Sequence, residues 1–189
     1  MTGSGEYREL VLAKGRDWDF PDSEWETKAV DEIMAMADEA VIVTRVPVAQ
    51  LEWMRMPAGQ CHANAGWYAE RDPRATMVTG WWVQFPSFVL HSVVRIGNEY
   101  LCVTPTPFDE GGFHFIPDAK IEWRDTGNVR TAFRDGQAIG PGLRRHPSFT
   151  RAQNALVRER ILAGVPLEEA IEFSDEEMAG MKAAHIPNG

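Results

Sequence analysis

Cys61 follows a Pro57-Ala58-Gly59-Gln60 turn and opens a segment whose Ala63, Ala65, Ala69 and Glu70 favour helix until Pro73 stops it. A thiol attacks only as thiolate, and the unpaired amides and dipole of a helix N-terminus stabilise that anion. His91 lies 91 − 61 = 30 residues further on in SFVLHSVVRI, enough chain to finish the helix, run one strand and begin the next. A thiol and an imidazole so placed are the basic apparatus of a cysteine hydrolase or transferase.

A histidine base needs a third group to set its tautomer. Gly97-Asn98 is a two-residue hairpin signal, for which paired positions sum to 195. That register puts His91 opposite Thr104 and Val93 opposite Cys102, so His91, Cys102 and Thr104 share one face, with Thr104 as the acceptor for the ring. The Cys61 amide is the natural first donor of an oxyanion hole, and the side chains of Gln60 and Asn64 are candidates for the second. Seven tryptophans fill a core or line a groove that grips an extended substrate, and Trp81 is the substrate-side candidate.

Cys61, His62, His91, Cys102 and His114 are also possible zinc ligands. No Cys-x-x-Cys or His-x-x-x-His spacing supports that reading, and adjacent ligands at 61 and 62 rarely serve one ion. No metal or other cofactor is therefore expected. With only two cysteines, a disulfide framework is not expected either.

The elements that must position these residues follow from periodicity. Residues 1 to 21 read as an irregular lead-in with a short strand at Glu9 to Leu12. Ser23 and Glu26 form a capping-box pattern before Trp25, Ala29, Ile33, Met36, Ala37 and Ala40 at helical spacing. Ala40 to Val46 reads as a strand and Gln50 to Met56 as a helical turn. ATMVTGWW, SFVLHSVVRI and EYLCVTP read as successive strands, and Phe113 to Ile116 and Ala119 to Trp123 as shorter ones. Residues 124 to 147, rich in Gly, Arg and Pro, read as loop. Thr150 to Ala163 is a helix closed by Gly164, and Ser174 with Glu177 caps another.

This order predicts one α+β domain over residues 1–189, with a core at about 22–123 and a helical extension at about 148–186. Its expected centre is an antiparallel sheet of about four to six strands with the Cys61 helix packed against it. The net charge of −9 and pI near 5.0 argue against a nucleic-acid partner, although Arg144-Arg145 is a local basic pair. No apolar run is long enough for a membrane span and no N-terminal leader pattern is present, so a cytoplasmic protein with no membrane partner is expected.

A Cys opening a helix, a His on a following strand and Val103-Thr104-Pro105-Thr106 on the next resemble the papain-like cysteine hydrolase superfamily in its transglutaminase-like form. Small bacterial members are similar at Cys61, Asn64, Gly80, Trp81, His91, Thr104 and Pro105, within roughly Gly59 to Trp123. The resemblance implies Cys61 as nucleophile, His91 as base and hydrolysis or transfer at an amide, ester or thioester bond of a small-molecule or peptide substrate. It also implies an acid where Thr104 stands. A hydroxyl stabilises imidazolium less, which leaves open weak activity, recruitment of Asp109 or Asp118, or a binding module without turnover.

Overall fold

The computed structural model describes residues 3–84, 86–106, 111–127 and 129–186, so Asp109 lies outside the described residues. The chain is α+β. In order it forms α1 (Gly3–Asp17), α2 (Glu24–Ala35), β1 (Val41–Arg45), α3 (Val48–Trp53), α4 (Cys61–Arg71), β2 (Ala75–Gln84), β3 (Ser87–Ile96), β4 (Glu99–Cys102) and β5 (Gly112–Pro117). β6 (Ile121–Thr126), β7 (Val129–Arg134), β8 (Gln137–Ala138), β9 (Gly142–Arg144), α5 (Pro147–Leu162), α6 (Leu167–Ile171) and α7 (Asp175–His185) follow.

The central sheet has six strands in the order β2-β5-β1-β4-β3-β9, and a further β2–β3 pairing closes its first five into a barrel. It is not wholly antiparallel as expected, because β1 runs parallel to β4, with Val43 beside Tyr100 and Arg45 beside Cys102. The long connection through α3 and α4 allows this, since parallel neighbours need a crossover rather than a tight turn.

β3 is the longest-paired strand. One edge runs antiparallel to β2 from Ala75↔Ile96 to Gln84↔Ser87. The other edge is divided: β9 pairs with Ser87 to Val89, and β4 pairs with Val94 to Ile96. The β4 pairs sum to 195, the register expected of the Gly97 turn, where φ is +60°. The ladder stops before His91 and Thr104 meet, because β4 ends at Cys102.

Alternation along the strands separates two environments. Val43, Val93, Cys102, Phe113 and Phe115 converge inside the barrel with Val78 and Trp82. Gly80 belongs to this tight interior, since a Cβ there would lie 2.2 Å from the Ile116 carbonyl oxygen. On the outside, Met77, Val94 and Ala75 pack with Ala65 and Tyr68 of α4. Trp81, Leu90 and Ile116 pack with Ala29, Val30 and Ile33 of α2 and with Ala132 and Ile139.

Three readings are corrected. Residues 3–17 form a helix, whose Tyr7, Val11 and Leu12 pack on Ile161, Leu167 and Ala170, a tertiary stripe that the lead-in reading missed. The 124–147 stretch is largely strand: β6, β7 and β8 make a three-stranded antiparallel sheet, and β9 joins the central sheet beside β3. Asp135 and Gly136, at φ +50° and +79°, form the tight β7–β8 turn, a hairpin dipeptide legible in the sequence. Finally, the pattern at Ser23 is half a capping box. Ser23 accepts the Glu26 N–H at 3.1 Å, but the Glu26 carboxylate binds Arg144 at 2.8 Å. Arg144 is fully buried on that acid, so the Arg144-Arg145 pair is not a surface patch.

Asp118 anchors the second sheet. Its Oδ2 accepts from Trp81 Nε1 and from Arg134 Nε, each at 2.8 Å, and its Oδ1 accepts from the Lys120 amide at 2.9 Å. Arg134, 1% exposed, keeps Glu32 and Asp135, so Asp118→Ala should destabilise the fold by about 2–4 kcal/mol by leaving the buried Trp81 Nε1 and Arg134 Nε donors without an acceptor. Denaturant unfolding measures this, and a loss under about 1 kcal/mol would show that the pair is dispensable.

Candidate functional site

The divided edge of β3 creates the site. Between the β9 and β4 pairings, residues 91–93 have no strand partner on that edge among the described residues. Leu90 N–H reaches the Pro141 carbonyl at 2.9 Å, and the next amide on that side, Ser92, faces the Cys61 sulfur at the first residue of α4. Cys61 thus occupies an interruption in the ladder where the inside of the barrel and its outer face meet. A cavity of about 960 Å³ opens there, with Cys61, His62, Trp82, His91 and Thr104 on one wall and residues of α1 and α5 on the other.

Burial dominates the electrostatics. It pushes the Cys61 thiol up to about 11, against the main-chain amides of Ser92 and His62, which pull the other way. Burial also holds His91 down to about 3, with His62 and Arg45 adding to the effect. The resting pair is therefore neutral thiol and neutral imidazole, not the depressed thiolate expected from the helix start. Desolvation outweighs the helix terminus although Cys61 is only half-buried, on the wall of a cavity that α1 and α5 also line.

The expected orienting group is also replaced. His91 Nε2 lies 3.4 Å from Cys102 Sγ, inside the barrel with the rings of Trp82 and Phe113 against it. Thr104 does not meet the ring. Its Oγ1 accepts from Asn64 Nδ2 at 3.2 Å, and the same nitrogen donates to the Pro57 carbonyl at 2.9 Å. Asn64, 2% exposed, therefore ties the turn before α4 to the segment after β4, and its amide donors are already used. Gln60 is exposed at the N-cap, makes no side-chain cap bond and is not on the cavity wall.

Trp81 is fully buried on Asp118, and the neighbouring Trp82 lines the cavity instead, because alternate residues of β2 face opposite sides. The sequence signal GWW marked the right place, but choosing between the two rings required the barrel's inside to be known. Asp118 is bound to Trp81, Arg134 and Lys120 and is no substitute acid for His91. Among the described residues, no three His, Cys, Asp or Glu side chains group to hold a metal. No described helix is long and apolar enough to cross a membrane.

His62, by its sequence a possible zinc ligand, stands on the cavity wall with Nδ1 2.8 Å from Ser92 Oγ. Its adjacency to Cys61 was the one available signal.

Two outcomes follow from these neutral states. Iodoacetamide labelling of Cys61 in the ligand-free protein should stay slow at neutral pH and rise towards pH 11; an inflection below the free-thiol value of about 8.5 would show that the helix terminus prevails. Stability should also depend on pH. A histidine held below its ordinary 6.5 binds fewer protons folded than unfolded, so its stabilising effect is present above pH 6.5 and is lost as pH falls towards 3. The denaturation midpoint should drop over that interval, less steeply in His91→Gln; equal slopes would show that His91 does not carry the effect. Comparison of the chain with family models, with curated proteins and with solved structures finds no match.

Proposed function

We propose that the protein is a cysteine hydrolase or acyltransferase of papain-like, transglutaminase-like kind, acting on an amide, ester or thioester bond of a small-molecule or peptide substrate. The observation that carries this reading is the placement of Cys61 at the first residue of α4, in a break of the β3 ladder, on the wall of a cavity that His91 also lines. A neutral thiol suits catalysis by general base, in which the proton leaves as the sulfur attacks. His91, held neutral, takes that proton while Sγ bonds to the acyl carbon. The tetrahedral intermediate then expels the leaving group, which receives the proton from His91, and leaves a thioester on Cys61 for water or an amine to resolve.

Main-chain amides at the start of α4 supply donors to the developing oxyanion. The cavity wall carries Arg16 and Arg158 beside Arg151, which is paired with Asp22, and Lys14, 4.0 Å from Asp17, against Asp19, and this balance favours a substrate bearing negative charge.

A second reading, a papain-like binding module without turnover, is favoured by one observation: the ring partner of His91 is the Cys102 thiol, not a carboxylate. The two part on acylation. Incubation with p-nitrophenyl acetate should place one acetyl group on Cys61, seen by peptide mass spectrometry, and none at that position in Cys61→Ser. His91→Ala should slow the step by about 10²-fold or more. No adduct, or equal acetylation without His91, decides for the binding module.

A further inference from the structure

Four side chains form a hydrogen-bonded line across the outer face of the barrel wall. Trp123 Nε1 lies 3.1 Å from Thr79 Oγ1, Thr79 Oγ1 lies 3.0 Å from Ser92 Oγ, and Ser92 Oγ lies 2.8 Å from His62 Nδ1. The direction of this line follows from donor chemistry. An indole N–H only donates, so Thr79 must accept from Trp123. Ser92 is fully buried, and its hydroxyl proton must go to Thr79 or to His62. Were it to go to Thr79, that oxygen would accept twice, and its own proton would have no acceptor among the described residues. The arrangement that uses every proton runs from Trp123 through Thr79 and Ser92 to His62, with Nδ1 as acceptor. A neutral ring that accepts at Nδ1 carries its proton on Nε2.

We propose that His62 is a neutral Nε2–H donor to a carbonyl or carboxylate oxygen of the ligand in the cavity, its tautomer set by the line from Trp123. This rests on reading the cavity as an acyl-group site, and it makes His62 the side-chain member of the oxyanion hole, the place for which Gln60 and Asn64 had been the candidates. Nε2 makes no hydrogen bond among the described residues, and the ring stands on the cavity wall beside the nucleophile. The Trp123 ring, 4.7 Å from the imidazole centroid, holds its plane.

Burial, together with Lys14 of α1 and Arg130 of β7, keeps His62 neutral down to about pH 4. A neutral donor has a specific merit: it can stabilise an oxyanion without giving up its proton to the leaving group, which leaves proton transfer to His91. A neutral imidazole in this role is a known device of enzymes that polarise carbonyls.

Two-bond nitrogen–proton correlation spectra of the full chain labelled with ¹⁵N-histidine read the tautomer directly, with His62 assigned through His62→Gln. The wild type should show His62 protonated on Nε2 at pH 7. Trp123→Phe keeps an aromatic ring against His62 but removes the donor that starts the line, and should give a mixture of tautomers. An Nδ1–H ring in the wild type, or an unchanged tautomer in Trp123→Phe, overturns the proposal.

A second measurement tests the donor role without the thiol. Acetate titrated into Cys61→Ser should shift the His62 Nε2–H resonances, and Trp123→Phe should weaken that binding by about two- to tenfold, the worth of one neutral hydrogen bond. Acetate that leaves His62 unmoved overturns the donor role. Neither measurement uses acylation of Cys61, so failure of the hydrolase reading and failure of this one are separately visible.

Discussion

The structure depends on how the two edges of β3 are paired. One edge is committed along its whole length to β2, and this pairing closes the barrel. The other must serve both β9 and β4, which approach from opposite ends and leave residues 91–93 between them. An unpaired buried amide is costly, so the break must be filled by something that accepts a hydrogen bond. Cys61, whose thiol the Ser92 amide pulls towards thiolate, stands at this break on the wall of the cavity. Fold closure and site formation are thus two consequences of one pairing pattern.

Two buried ion pairs hold the outer elements to this barrel. Arg144, on β9, donates from its main-chain N–H and from its guanidinium to Glu26 of α2, and it also reaches the Trp18 and Phe20 carbonyls of the segment after α1. Arg134, on β7, joins Asp118 after β5 and Glu32 of α2. Such pairs need extra hydrogen bonds to offset the desolvation of two charges, and both acids have them. Because α2 supplies a carboxylate to each arginine, it fixes the second sheet and β9 against the same face of the barrel. β9, so held, is one of the two strands that bound the break.

Within the cavity, chemistry is divided by the faces of β3. His91 points into the apolar barrel with Cys102, Trp82 and Phe113, whereas Ser92 points outward to Thr79 and His62. Cys61 lies at the edge between them. Burial keeps both the thiol and His91 uncharged, helped at His91 by the Arg45 guanidinium over the Trp82 and Phe113 rings, while the outer side offers hydroxyls and an imidazole that can be ordered by hydrogen bonding. The cations of α1 and α5 stand across from this wall.

Local chemistry determined much of the chain. The α4 boundaries at Cys61 and Arg71, the Gly97 turn with its register and the Ser174–Glu177 capping box are all set by residues within a few positions of one another, so periodicity and cap residues sufficed to read them. Cys61, at the head of its helix, was legible for the same reason. Tertiary structure decided what depends on distant partners. α1 is a helix because its apolar stripe meets α5 and α6, and β9 is a strand because β3 offers an edge. Glu26 left its local cap for Arg144, 118 residues away. Trp82 rather than Trp81 faces the cavity because barrel closure defines which side is inside. The charge states of Cys61 and His91 were out of reach for the same reason: a motif specifies neighbours along the chain, whereas desolvation is set by everything that packs over the site.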